Sequence, residues 1–320
     1  MSSVEVLIVG GGPSGAACAW RLRQHGVECL ILDQQQFPRV KLCAGWITPQ
    51  VVRDLALAAE DYPGGLTKYR ALWISIWGVR FRLPTEQYAI RRCEFDDWLL
   101  RRSGVPVQVH RVRRIERRNG MFVVDGAFTG KYLVGAGGTR CPVYRTLFQE
   151  GSPRHRDSLI VTLEQEFPYA YTDPRCQLWF LEDGLPGYAW YVPKANGIVN
   201  VGIGAKLSPL RARGDTLRRH WRAFLDKLDR RGLVHGYSYQ PRGHVYYSRQ
   251  QEPRVRLGNA LIVGDAVGLA TLNMGEGIGP AVRSGLLAAE AIMSNSDYDI
   301  SSIPRLSLLP SLRYRARQRV

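Results

Sequence analysis

No apolar run in this chain of 320 residues is long enough to cross a bilayer. The short apolar stretch around Ile8 lacks the basic flank of a secretory leader. A cytoplasmic protein is therefore expected. The cysteines (Cys18, Cys29, Cys43, Cys93, Cys141, Cys176) are scattered and form no Cys-x-x-Cys pair. That pattern excludes a disulfide framework and a structural zinc, and suits a reducing compartment. The histidines (His25, His110, His155, His220, His235, His244) have neither metal-like nor triad-like spacing, so they read as structural or surface residues and no metal is expected. Walker loops, Ser-His-Asp sets, paired carboxylates, internal repeats and low-complexity segments are all missing. Acidic residues are scarce, 28 against 44 Lys and Arg, which leaves a net charge of +16. Such a field attracts nucleic acid, anionic lipid or phosphorylated ligands. The arginines are spread along the chain and belong to no nucleic-acid module, so no nucleic-acid partner is expected. The run Arg313-Tyr-Arg-Ala-Arg-Gln-Arg319 is a candidate for peripheral contact with an anionic membrane.

What is present is organised around Val4 to Asp33. An apolar strand (Val6 to Val9) runs into Gly10, Gly12 and Gly15, with Pro13, Ser14 and Ala16 opening a small-residue helix. Gly26 stops that helix, and a second strand ends at Asp33. In this pattern the first glycine allows a tight turn, the second admits a pyrophosphate, and the third lets helix and strand pack closely. Amide hydrogens at the helix start hold phosphates, and the carboxylate after the second strand takes ribose hydroxyls. An adenine dinucleotide is the expected ligand.

The length favours two domains. After Asp33 comes a loop over Phe37 to Trp46, then a helix with Thr48 as cap and Pro49 at its first position. Asp61 to Lys68 reads as a turn-rich connector, and Ala71 to Trp77 and Val79 to Leu83 as two strands around Gly78. A short helix with Phe95, Trp98 and Leu99 on one side follows. Val105 to Tyr132 reads as an antiparallel meander turning at Asn119-Gly120 and Asp125-Gly126. From Ser158 to Ala205 aromatic-rich alternating strands predict a separate antiparallel sheet. Asp215 to Arg230 is an amphipathic helix, Ala260 to Val263 a buried strand, and Glu276 to Ser294 a long helix.

A second glycine fingerprint lies near the far end: Val263-Gly264-Asp265-Ala266, then Gly275-Glu276-Gly277-Ile278. An aspartate at the mouth of a buried strand suits a sugar-alcohol chain. A glycine turn before a helix points amide hydrogens at the anion that forms on a reduced isoalloxazine. That combination selects FAD.

These residues resemble the geranylgeranyl reductase family of the para-hydroxybenzoate-hydroxylase-like FAD superfamily, over nearly the whole chain. Lys41-Leu-Cys43-Ala44-Gly45 is similar to the family's Lys-x-Cys-Gly-Gly loop, with Ala44 in place of a glycine. Arg92-x-x-Phe95-Asp96-x-x-Leu99, Pro186-x-Tyr188-x-Trp190-x-Val192-Pro193 and Gly275-Glu-Gly-Ile with Ser284-Gly285 match further family segments. Met274 stands where threonine is usual. Val134-Gly135-Ala136-Gly137-Gly138 occupies the place of the superfamily's Gly-Ala-Asp-Gly, so Gly137 replaces an aspartate, which speaks against a tightly coupled NADPH-dependent monooxygenase. The resemblance implies an α/β, Rossmann-like FAD-binding domain with a three-stranded meander, built from residues 1–70, 85–157 and 254–300. A smaller antiparallel substrate domain takes 71–84 and 158–253, and 301–320 form a basic tail.

The resemblance also implies roles. Lys41, Ala44, Gly45, Ala136 and Gly137 join the FAD contacts, the Val112 backbone meets adenine, and Arg92 approaches the cofactor. From the residues alone Arg92 is equally an ion pair with Asp96. Cys43 is the candidate proton donor or gate, with inert packing as the plain alternative. Tyr188 and Trp190 face one side of a strand and either wall a lipid pocket or serve as core, and Trp46, Trp73 and Trp77 share that ambiguity. The implied activity is reduction of carbon–carbon double bonds of an isoprenoid or similarly apolar small molecule by flavin. NADPH or an electron-donor protein would reload the cofactor. A flavin monooxygenase or halogenase acting on an aromatic metabolite, or a non-catalytic FAD protein, are the competing readings.

Overall fold

A computed structural model describes residues 2–58 and 62–307. In chain order it runs β1 (Ser2–Val9), α1 (Pro13–Gln24), β2 (Cys29–Asp33), β3 (Trp46–Ile47), α2 (Pro49–Asp54), β4 (Thr67–Ile76), β5 (Val79–Ala89) and α3 (Arg92–Arg102). Next come β6 (Val107–Val109), β7 (Ile115–Arg118), β8 (Met121–Val124), β9 (Phe128–Gly135), β10 (Leu159–Pro168), β11 (Gln177–Phe180), β12 (Gly187–Lys194) and β13 (Ile198–Lys206). The rest is α4 (Leu207–Ala212), α5 (Leu217–Arg230), β14 (Arg242–Tyr247), β15 (Arg256–Leu257), β16 (Ala260–Ile262) and α6 (Ile278–Met293).

The first sheet has the order β15-β16-β9-β1-β2-β6. Its central pairs β16–β9, β9–β1, β1–β2 and β2–β6 are parallel. Val6 to Val9 and all of β2 are buried, as expected for strands covered on both faces. Helices α1 and α6 pack on each other beside this sheet. They approach closely because Gly285 lies on the Ser14 carbonyl, where a side chain would collide with backbone. The expected single meander over 105–132 is corrected: Val107–Val109 pairs parallel with β2 and extends the main sheet. Only β7, β8 and β9 form the meander. Strand β9 belongs to both arrangements.

The second sheet has the order β14-β10-β13-β12-β11-β4-β5-β3. Its β4–β11 pair is parallel and the others are antiparallel. One face is covered by α5, whose Trp221, Phe224 and Leu228 pack on Trp179, Tyr191 and Val201. The other face carries Trp190, Leu178, Ile74 and Leu72. The hairpin β4–β5 is longer than the sequence indicates, because Pro84 pairs with Ala71, a bulge follows where Tyr69 faces Gln87, and pairing resumes beyond it. Residues 46–47, 67–70 and 85–89, assigned from sequence to the cofactor domain, therefore pair in the second sheet.

Helix α2 starts at Pro49, but the Thr48 side chain makes no capping hydrogen bond. Thr216 does cap α5, accepting from the Arg219 amide at 3.4 Å. No described helix is long and apolar enough to cross a membrane. The basic run Arg313 to Arg319 and the start of the connector at Asp61 lie outside the described residues.

Gly285→Ala tests the close approach of α1 and α6. Helix propensity alone would favour the alanine by about 1 kcal/mol. Overpacking against the Ser14 backbone costs about 1–3 kcal/mol, so we expect net destabilisation, read as a lower midpoint in urea unfolding. A midpoint unchanged or raised would show that the contact is loose.

Candidate functional site

The carboxyl ends of β1, β2 and β9 open onto one cavity of about 1530 Å³, whose far wall is the inner face of the second sheet. Gly10, at φ +114°, touches the Ala136 carbonyl, and Gly15 touches the Gly10 carbonyl, so both places need glycine. Gly12 and Gly277 face the cavity instead. A side chain there would first meet the Arg39 guanidinium at 3.4 Å and the Asp265 carboxylate at 3.5 Å. Neither Gly12 nor Gly277 has a side chain to cap its helix, and in α6 the Glu276 carboxyl takes the Gly279 amide at 2.9 Å, so the amide hydrogens left at the two helix starts are open to an anionic ligand.

The two fingerprints are bonded together. The Gly264 amide donates to Ser284 Oγ at 2.9 Å, the Ala136 amide to the Val9 carbonyl at 2.8 Å, and the Val263 amide to the Gly135 carbonyl at 3.0 Å. Arg154 spans the same seam, donating to the Thr139 and Asp265 carbonyls and lying over the Tyr144 ring. Asp33 accepts from the Gly11 amide at 2.7 Å and the Gln35 amide at 2.9 Å, so its first task is to hold the glycine loop. A carboxylate has capacity for a ribose hydroxyl besides these two bonds. This bare-backbone cradle, carboxylate at one end and aspartate with a helix start at the other, fits FAD.

One wall is cationic. Arg92 makes a two-pronged pair with Asp96 at 2.7 and 2.8 Å, and its guanidinium also reaches the Cys43 sulfur. Burial disfavours its charge, but Asp96 more than restores it, so its pKa is raised. The ion pair open in the sequence is thus present, and Arg92 still borders the cavity. Lys41 Nζ donates to His244 Nε2 at 2.7 Å. Burial, then the Lys41 charge beside it, pushes His244 down to about 4, so its ring is neutral and accepts. His244 is a correction to the reading of all histidines as structural or surface.

The second-sheet wall is built in rows. Direct cross-strand partners share a face, and one row runs Arg242–Glu164–Gly202–Trp190 while the next runs His244–Thr162–Gly204–Tyr188. Gly202 leaves space that the Trp190 indole fills, so the ring lies across the sheet toward Glu164. Trp190 Nε1 donates to Asn200 at 2.7 Å, the Tyr188 hydroxyl to the Met274 carbonyl at 2.6 Å, and Trp46 Nε1 to Gln87 at 2.6 Å. Glu164 is buried, and its carboxyl accepts from the Cys43 backbone amide. Burial pushes it up to about 7, against the pull of Lys194 and with the help of neighbouring Glu166, which is itself neutralised by Lys194 at 2.6 Å and Arg91 at 3.0 Å. It therefore holds a proton near neutral pH.

Three comparisons bear on this geometry. Residues 8–46 match the model of the NAD(P)-binding Rossmann-like domain. The menaquinone reductase of Mycobacterium tuberculosis is 32% identical over 91% of this chain and 77% of its own. The chain belongs to the geranylgeranyl reductase family. The geranylgeranyl diphosphate reductase of Rhodobacter capsulatus is 26% identical over 91% of this chain and 75% of its own. A crystal structure of a geranylgeranyl bacteriochlorophyll reductase-like protein from Thermoplasma acidophilum superposes with a TM-score of 0.79 at 21% identity, covering 100% of this chain and 84% of that one. As a family member the protein is an FAD-dependent oxidoreductase, with NADPH or another reductant as co-substrate.

Most of the residues singled out in the sequence converge. Gly10, Gly12, Pro13, Ser14, Asp33 and Val112 line the cavity, as do Ala136, Gly137, Asp265, Gly275, Gly277 and Ile278. Lys41, Cys43, Ala44, Arg92, Trp46, Tyr188 and Trp190 border the space between the sheets. Gly15, Ala16, Gly45 and Gly264 do not reach the surface of the cavity; they allow close packing beneath it, Gly45 against the Ile90 carbonyl and Gly264 against Ser14. Trp73 and Trp77 are also elsewhere. The sequence reading missed Glu164, Tyr246, Arg39 and Arg154. Glu164 had a signal: it sits in phase with the inward positions Ile160 and Thr162 of an alternating strand.

Because the folded pKa of Glu164 is raised from 4.5 to about 7, its contribution to stability is complete at low pH and lost as pH climbs through that window. Glu164→Gln should leave a protein whose stability, relative to wild type, improves between pH 4.5 and 7. Parallel urea unfolding series check this, and a constant difference would place the Glu164 carboxyl in a solvated site.

Proposed function

We propose that this enzyme saturates carbon–carbon double bonds of an isoprenoid or comparably apolar substrate. The observation that carries the reading is the continuity of one sheet face. Glu164 and His244 stand at its polar end, while Trp190 and Tyr188 continue it as an aromatic wall inside the cavity of the FAD cradle.

Bound FAD, recharged by NADPH or a reduced carrier, supplies the hydride. An isolated alkene then needs a proton on its second carbon. Glu164 is the group best placed to give it, since its carboxyl lines the cavity and burial pushes it up to about 7. Lys194 and the Cys43 amide stabilise the carboxylate left behind, and solvent restores the proton. Cys43 then has a different task. Its sulfur accepts from the Gly45 amide at 3.4 Å and lies on Arg92, so it shapes the loop between cofactor and substrate. Trp46, Tyr188 and Trp190 hold the alkene chain and keep water out, their polar atoms being satisfied within the protein.

Anaerobic incubation of reduced enzyme with prenyl lipids or prenyl diphosphates tests the reaction. Mass spectrometry should show a gain of one H2 per double bond. A strict need for oxygen would reject the reading in favour of a monooxygenase or halogenase. Glu164→Gln should lower kcat about 100-fold or more. The wild-type rate should fall as pH rises past about 7. Cys43→Ala should stay within about tenfold of wild type. The reverse ranking would return the proton to Cys43.

A further inference from the structure

The same sheet face continues beyond the cavity. From Tyr188 the row runs Phe180–Ile76–Val79, and from Trp190 it runs Leu178–Ile74–Phe81. It starts buried and ends in water: Val79 is 69% exposed and Phe81 42%. At the end of this hairpin Trp77 is 75% exposed, and Leu181, next to the Phe180 carbonyl that Trp77 bonds, is 42% exposed. An apolar surface that grows more exposed away from the cavity has no role within the described chain.

Trp77 is unusual in a second way. With Gly78 it forms a two-residue turn in which both residues have positive φ, +48° and +84°. That turn favours asparagine at the first position, and a bulky ring there is strained. The chain accepts a poor turn residue in order to present an indole to solvent.

The opposite face of the hairpin is basic. Arg80 and Arg82 pair across from Ser75 and Trp73, both are exposed, and Arg231 lies close enough to Arg80 to repel it. Arg213 joins them by donating to the Gly184 carbonyl at 2.7 Å. The nearby carboxylates of Glu182 and Asp183 are both taken by Lys227, at 2.5 and 2.7 Å. Those two carboxylates also act on Arg231, so the exposed positive charge of the tip is that of Arg80 and Arg82.

We propose that the β4–β5 hairpin is a docking tip for an anionic lipid surface. Trp77, Val79, Phe81 and Leu181 enter the interface, while Arg80 and Arg82 meet the headgroups. Tryptophan favours the water–lipid boundary, and basic residues beside it add attraction to anionic leaflets. Docking in this way sets the apolar rows that lead to Tyr188 and Trp190 directly on the bilayer.

Co-sedimentation with phosphatidylcholine vesicles, with and without phosphatidylglycerol, tests this in the full-length, FAD-loaded protein. The wild type should bind the mixed vesicles and release in high salt. Trp77→Asn creates the favoured Asn-Gly turn and so protects the fold, yet it should weaken binding about tenfold. Arg80→Gln with Arg82→Gln should weaken it about 30-fold and flatten the salt dependence. Flavin absorbance, unchanged in both variants, verifies that the cofactor site is intact. Equal binding by Trp77→Asn, or no wild-type binding to anionic vesicles, would overturn the proposal. So would a wild-type dimer in sedimentation velocity that Trp77→Asn turns into a monomer, since the tip would then be a contact between copies. None of these readouts requires turnover, so they stand or fall apart from the proposed reaction.

Discussion

Bare backbone in two places, brought together, is the constraint on which this protein depends. A dinucleotide is held largely by amide hydrogens and helix starts, and those are available only where no side chain intervenes. Gly12 and Gly277 supply that access, while Gly10, Gly15 and Gly285 let the elements beneath approach closely. The hydrogen bond from the Gly264 amide to Ser284, together with the contact of Gly285 on Ser14, fixes the two turns relative to each other although they are some 250 residues apart in the chain. Asp33 works in the same sense, since it holds Gly11 in place before it meets any sugar.

The second sheet turns that cradle into a reaction chamber. Its inner face changes character along each row, from His244 and Glu164 through glycine gaps to Trp190 and Tyr188, and then to plain hydrocarbon. Charge is carried into the interior in compensated form: Glu166 is matched by Lys194 and Arg91, and Asp96 by Arg92. Burying such pairs is costly unless the geometry is good, so their presence next to the cavity points to the field they create. Glu164 is the exception. It has no full partner, and burial pushes its carboxyl up to about 7 while Lys194 and Arg91 hold Glu166 below the usual range.

The cofactor half was legible in the sequence because its determinants are local. A strand, a spaced glycine set and an acidic residue each act within a few positions of their own place in the chain, so Gly10, Gly12, Asp33, Asp265 and Gly277 could be named from spacing. The parallel sheet core showed as continuous apolar runs for the same reason. The substrate wall was less legible. Strand β14 is short and polar, with partly exposed positions, and gave no pattern; with it went His244 and Tyr246, which matter only through pairing with β10. Strand β6 was misplaced because three exposed residues carry no trace of their parallel partner. The hairpin looked shorter than it is because a proline in a strand normally ends it, whereas here Pro84 pairs with Ala71 and a bulge at residues 85–86 of the same strand lets the pairing resume. Trp77 and Trp190 look alike in sequence; register with distant strands sends one to solvent and the other into the cavity.

Titration of the apoprotein with FAD, followed by flavin fluorescence and absorbance, tests the central claim that both glycine turns grip one flavin nucleotide. Saturation at one FAD per chain is expected, with riboflavin binding far more weakly because it leaves the Gly10 to Asp33 half of the cradle empty. Binding that does not saturate, or riboflavin that binds as tightly as FAD, would contradict it.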